Sequence, residues 1–207
     1  MPDESPPTAP HRDPLPGEPR AALLIIDLIN EFDFTGGREL HDHMMTMVDR
    51  LRALREAVEA EGWPVIYVND NFGEWHSERS RLVARAVDAG SELSGRVAPG
   101  DEDYFIIKPQ FSGFYSTNLA VLLPKLGVRR LIITGVATEV CVLFTAGDAH
   151  MRDYAMWIPS DLVGSAHSDR GEAALAIMAN ALGAETAPTT ELSLCDWIAR
   201  LDERDAP

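Results

Sequence analysis

The chain has 207 residues, 45% of them hydrophobic and 25% charged, which is enough apolar material for one sizeable core. Its 18 basic and 33 acidic side chains give a formal charge of −15, which excludes functions that need a basic patch, such as binding nucleic acid or an anionic membrane surface. No apolar run approaches the roughly 18 residues of a membrane span, and two cysteines are too few for a disulfide framework at this size.

Residues 1–19 carry seven of the 14 prolines. Such a stretch cannot bury enough apolar surface to offset its ordering entropy, so a flexible tail is predicted there. It lacks the basic start and apolar run of an export signal, and the expected setting is the reducing cytoplasm, where a thiol is metal-binding, catalytic or simply buried. Residues 20–207 read as a single domain.

AALLIIDL (21–28) is a continuous apolar run ending in an acid. Leu40, Met44, Met47, Val48, Leu51, Leu54 and Val58 recur at helical spacing over 39–61, and Gly62 closes that helix. PVIYVND (64–70) is the second strand, followed by a polar loop and a short helix near 77–90. DYFIIKP (103–109) is the third strand. A helix over 115–126 ends at Gly127, with Pro124 expected to kink or shorten it. RRLIITGV (129–136) is the fourth strand and 138–152 a helix. AMWIPS (155–160) is the fifth strand and 168–182 a helix ending at Gly183. A weak sixth strand is expected near 185–190, and a final helix over 192–202. Strands apolar on both faces, alternating with helices, predict an α/β fold: a three-layer, doubly wound, mostly parallel sheet of about six strands with helices on both faces.

Such sheets bind ligands beyond the carboxyl ends of their strands. The first strand ends at Asp27, the second at Asn69 and Asp70, the third at Lys108, and the fourth leads to Cys141 in the first turn of a helix. A thiol near a helix start or a cation has its pKa lowered from about 8.5 to about 3.5–7.5, so an activated Cys141 is expected. First-turn amides could hold an oxyanion, and Asp27 could carry the proton. Each residue also has a plain reading. The cysteine of TEVCVLFTA fits an apolar core, a strand-end Asp often caps a loop, and a strand-end Lys is often solvated. The three together at neighbouring strand ends favour chemistry. INEFDF after the first strand offers no glycine-rich phosphate turn, which disfavours a dinucleotide-binding oxidoreductase, and the sequence contains no CxxC or HExxH pattern.

LLIIDLINEF, YFIIKPQFSGF and ITGVATEVCVLFTAGDAHMRDY, over residues 21 to about 190, resemble the isochorismatase-like cysteine hydrolases, the family that includes nicotinamidase and N-carbamoylsarcosine amidase. The resemblance implies an Asp27–Lys108–Cys141 triad. It also implies a cis peptide at Val136–Ala137 and an oxyanion hole from the Ala137 and Cys141 amides. The implied reaction is cleavage of a C–N bond in a small amide, carbamoyl or ureido substrate through a thioester. Two alternatives stand beside it, a non-catalytic small-molecule binder on the same fold and a metal-assisted nicotinamidase. Nicotinamidases hold a metal through an Asp-x-His pattern after strand two. Here Asp70 matches, but Phe72 replaces the histidine, so neither a metal nor another cofactor is expected, and one further histidine, His76, is too few. Phe32 matches an aromatic pocket wall, and Asp70, Phe72 and Trp75 are further pocket candidates. Phe111, Phe114 and Tyr115 are expected on loops facing the same edge. His41 and His43 read as solvated, Asp161 as a loop anchor and Cys195 as a structural thiol. Family members commonly form dimers or tetramers, which makes a homo-oligomer the expectation.

Overall fold

The computed structural model describes residues 20–76, 78–89 and 91–205. The expected tail at 1–19 lies outside them. Six strands form the sheet: β1 (Arg20–Ile26), β2 (Val65–Asp70), β3 (Tyr104–Lys108), β4 (Val128–Val136), β5 (Ala155–Trp157) and β6 (Val163–Gly164). Their order is β3-β2-β1-β4-β5, with β6 beside the end of β4, and all the pairs are parallel. The chain builds outward from β1 to one side, then returns to place β4 on the other. All six carboxyl ends therefore lie at one edge.

The two-sided apolarity of the strands explains the three layers. Ala21, Leu23 and Ile25 of β1 face one core, while Ala22, Leu24 and Ile26 face the other. The first core is covered by α1 (Gly37–Met45), α2 (Val48–Ala60), α3 (Arg79–Asp88), α4 (Glu92–Arg96) and α8 (Leu194–Asp205). The second is covered by α5 (Leu119–Lys125), α6 (Leu143–His150) and α7 (Ser168–Asn180). Burying a strand on both faces removes every side chain of β1 except that of Arg20 from water, at about 1.5–3 kcal/mol for each large aliphatic group. Among the described residues no helix is long and apolar enough to cross a membrane.

Four local expectations differ. The helix predicted over 39–61 breaks at Thr46–Met47, where the amide and hydroxyl of Thr46 both donate to the His43 carbonyl, at 3.1 and 2.7 Å. A separate short helix, α4, follows α3, and the hydroxyl of Ser91 caps it by accepting the Ser94 amide at 3.2 Å. α5 starts only at Leu119, because Thr117 turns back to the Gly113 carbonyl and accepts the Leu119 amide. It then continues through Pro124, which stands near its end. The segment 185–190 is not a strand. Glu185 makes one bridge with Trp157, Pro188 has no N–H to offer, and the Thr189 amide is taken by Asp161. The sixth strand forms at Val163–Gly164 instead.

Candidate active site

Three strand ends bring three chemically different groups together. Lys108 closes β3 with a side chain fully removed from solvent, and its Nζ lies 2.8 Å from Asp27 Oδ2 and 3.4 Å from Cys141 Sγ. The Asp27 carboxylate and the Cys141 thiol also interact electrostatically with each other. Asp70, at the end of the intervening β2, adds a third contact, with Oδ2 3.3 Å from the same Nζ.

The backbone around these groups is specialised. Asp27 takes a left-handed conformation, φ 54°, which Asp tolerates better than most residues. Its amide stays bonded to the Val68 carbonyl at 3.0 Å, so the turn begins while the strand is still anchored. Its Oδ1 accepts the Asp70 amide at 2.7 Å. The loop beyond is braced twice. The Asn69 side chain exchanges two hydrogen bonds with the Ile29 backbone, and buried Ser94 Oγ accepts the Asn30 amide at 3.1 Å while lying 3.0 Å from the Leu28 carbonyl.

On the nucleophile side, Gly135 sits at φ 109°, and a Cβ there would stand 2.1 Å from the Ile26 carbonyl oxygen. Only glycine lets β4 approach β1 this closely. The Val136–Ala137 peptide is cis. Cys141 lies in a π-helical turn, Thr138–Val142, that precedes α6, with the Val140 and Val142 amides both donating to the Ala137 carbonyl. Such turns concentrate at functional sites.

The electrostatics reverse one expectation. Burial raises the Cys141 thiol, the Asp27 carboxylate raises it further, and Lys108 only partly offsets them, leaving it at about 12. The sequence shows the helix start and the lysine, which both favour thiolate, but hides the burial and the facing carboxylate. Burial also moves Asp27 above its usual value, with Lys108 acting against that rise. For Lys108, burial alone would lower the ammonium, but Asp27, Cys141 and Asp70 outweigh it and the net direction is upward. The resting arrangement is therefore a neutral thiol beside a firmly charged ammonium.

The remaining predicted residues separate into those at the cleft and those elsewhere. A cleft of about 600 Å³ is lined by Trp75, Phe111, Ser112, Tyr115, Phe144 and Asp148, together with Pro109, which follows Lys108 in the chain; no triad side chain lines it. Phe32 is buried in the first core and packs on the rings of Phe34 and His41, so its side chain does not line this cleft. The position of Phe72 is set by its left-handed backbone and by its amide, which donates to Asp70 Oδ1 at 2.7 Å. The ring is exposed and is not part of the cleft wall. Phe114, expected at the edge, is buried in the second core beneath Arg152. His41 is half-buried, packed edge-on against Phe32, whereas His43 and His76 are exposed. Asp161 accepts from the Thr189 amide and hydroxyl and pairs with Arg50. Cys195 is exposed, which does not fit a structural thiol. Phe144 and Asp148, which no sequence motif singles out, follow Cys141 at i+3 and i+7, a spacing that repeats one helix face.

The residues near Asp70 do not suit a metal. Asp70 is committed to Lys108 and to the Phe72 amide, and Phe72 brings no donor. Among the described residues no group of three or more His, Cys, Asp or Glu is placed to hold an ion.

The family model described as the isochorismatase domain matches residues 21–191. An uncharacterized isochorismatase family protein of Bacillus subtilis is 43% identical over 171 residues, spanning 82% of this chain and 93% of the relative. An N-carbamoylsarcosine amidase of Arthrobacter is 28% identical over 157 residues, spanning 70% of this chain and 60% of the relative. Among solved structures, an isochorismatase family protein from Desulfovibrio vulgaris superposes with a TM-score of 0.70 at 26% identity, covering 88% of this chain and all of that one.

Proposed function

Since the chain belongs to the isochorismatase family of hydrolases, we propose that it cleaves a C–N bond of a small amide, carbamoyl or ureido compound through a thioester on Cys141. The observation that carries this reading is the Lys108 ammonium, 2.8 Å from Asp27 Oδ2 and 3.4 Å from Cys141 Sγ, at the carboxyl edge of a parallel sheet. A relative named N-carbamoylsarcosine amidase supports the substrate class.

Asp27 takes the Cys141 proton as the sulfur attacks the carbonyl carbon. Deferring ionisation to that moment suits a thiol held neutral up to about 12, because a free thiolate in this pocket would lack water to solvate it. The carbonyl oxygen gains charge and is received by the Ala137 and Cys141 amides, an arrangement typically worth about 2.7–4 kcal/mol per donor. Asp27 returns its proton to the nitrogen, the C–N bond breaks and ammonia or an amine leaves. Water then attacks the thioester with Asp27 as base, the C–S bond breaks, and the thiol is reprotonated as the acid departs. Throughout, Lys108 offsets the negative charge that passes between sulfur and carboxylate.

The test is ammonia release from a panel of small amides and ureas, comparing the native protein with Cys141→Ala. Release is expected to vanish in the variant. Release that persists there would exclude the thioester route. A native protein that binds but never turns over any member would favour the non-catalytic reading.

A further inference from the structure

Exposed aromatic rings are usually scattered, but here four of them gather at one place. Trp75 is 78% exposed, Tyr115 58%, Phe144 52% and Phe111 51%, and all four line the same cleft of about 600 Å³. That volume suits a small-molecule site, and clustered exposed apolar groups signal binding rather than chance. The rings of Phe111 and Phe144 lie 5.6 Å apart, inclined at 51°, so they form an angled wall instead of stacking on each other.

The charge on the cleft wall itself is negative. Among the described residues its one charged lining side chain is the carboxylate of Asp148, and no lysine, arginine or histidine lines it. Asp148 is held in place by the Ser112 hydroxyl at 2.5 Å and by an ion pair with Arg152, which offsets part of its charge from outside the cleft wall. At the reacting end, the one ammonium, Lys108, already faces two carboxylates, Asp27 and Asp70, and so offers little to an incoming anion. The chain as a whole carries −15, a field that concentrates cations near its clefts.

Two residues of the cleft wall neighbour the triad along the chain. Pro109, in its wall, follows Lys108 directly, and Phe144 is one helical turn beyond Cys141.

Resting on the proposed amide hydrolysis, we infer that the cleft receives the far end of a substrate whose carbonyl meets Cys141, and that this end carries a weakly hydrated cation, of the quaternary ammonium class, held against the aromatic rings. The attraction of a cation to ring faces is strongest where water is partly excluded, and it distinguishes a trimethylammonium group from a tert-butyl group of the same shape.

Three amides with one scissile group and one spacer test this: 4-(trimethylammonio)butanamide, its neutral isostere 5,5-dimethylhexanamide, and anionic 4-carbamoylbutanoate. The expected kcat/KM order is cation, neutral, anion, with the first step about fivefold or more. In the Tyr115→Ala, Phe144→Ala double variant the ratio of kcat/KM for the cation to that for the neutral isostere should fall to about one. Equal rates for cation and isostere, or an advantage for the anion, would overturn the inference while leaving the cysteine chemistry standing. A second measurement needs no turnover. Tetramethylammonium chloride should quench tryptophan fluorescence saturably in Cys141→Ala, sodium chloride should not, and Trp75→Phe should abolish the signal. If no amide is hydrolysed but this binding is found, the cation site survives and the hydrolase reading fails. If neither is found, the cation site fails as well.

Discussion

Replacing Lys108 with methionine is the sharpest probe of how the buried charges balance. The substitution keeps most of the side chain's length but deletes an ammonium that is wholly out of solvent and touches Asp27, Asp70 and Cys141. Removing one partner of a buried ion pair typically costs about 3–5 kcal/mol, because the other charge stays behind uncompensated. Against a total stability of about 5–15 kcal/mol, that is a large share, and at about 2–4 °C per kcal/mol for a domain of this size it lowers the melting temperature by about 6–20 °C. The pH dependence has a definite sign. Asp27 is already raised above its usual 3.8, so its contribution to stability is full below that value and is lost as pH climbs through the folded value. Without Lys108 the main opposing influence disappears and the folded value climbs further. The penalty should therefore be smaller at pH 5 than at pH 8 in urea unfolding followed by circular dichroism. Adding Asp27→Asn should recover much of the loss at pH 8, because the stranded charge is then gone. Equal penalties at the two pH values, or no recovery in the double variant, would refute the idea that Lys108 is the counterion of Asp27.

Three more outcomes follow from the geometry. With the Cys141 thiol raised to about 12 by burial and Asp27, iodoacetamide at pH 7.5 should modify exposed Cys195 first, and Cys141 labelling should accelerate as pH increases; peptide mass mapping showing Cys141 labelled first would contradict this. Gly135→Ala puts a methyl group 2.1 Å from the Ile26 carbonyl oxygen at φ 109°, and should cost about 3 kcal/mol or more in denaturant unfolding. Ser94→Ala leaves the buried Asn30 amide without its acceptor and should cost about 1–3 kcal/mol, with faster amide exchange across residues 27–32 as the local readout; unchanged exchange there would mean that Ser94 does not brace the Asp27 loop.

Much of the architecture is legible in the sequence, because each strand is a continuous apolar run and each boundary carries glycine, proline or an acid. That logic identifies which residues end β1, β2 and β3, and parallel pairing then requires those ends to share an edge. What the pattern does not show is depth. Lys108 reads as solvated by type, yet it is buried because carboxylates come to it from two other strands. Cys141 reads as activated from the helix start and from Lys108, whereas burial, and after it Asp27 from a strand far away along the chain, raise it. Phe32 and Phe114 both precede or follow polar turns, a setting that suggests exposure, but each turns inward to fill a core. The π-helical turn at Thr138–Val142 adds one residue to the helical register, which apolar periodicity over so short a span does not resolve. β6 is two residues long, too short for any pattern.

The strand order has a consequence for synthesis. β1 is made first but ends in the middle of the sheet, between β2 and β4. On a ribosome it gains its β2 partner early, yet its other edge stays open until β4 emerges after α5. That edge is one of the most apolar stretches of the chain, every residue from Ala21 to Ile26 being buried in the finished fold. An unpaired strand of this kind invites association with other chains. The nascent protein thus passes through a vulnerable interval set by topology, during which slower translation between β2 and β4 would raise the demand for chaperones.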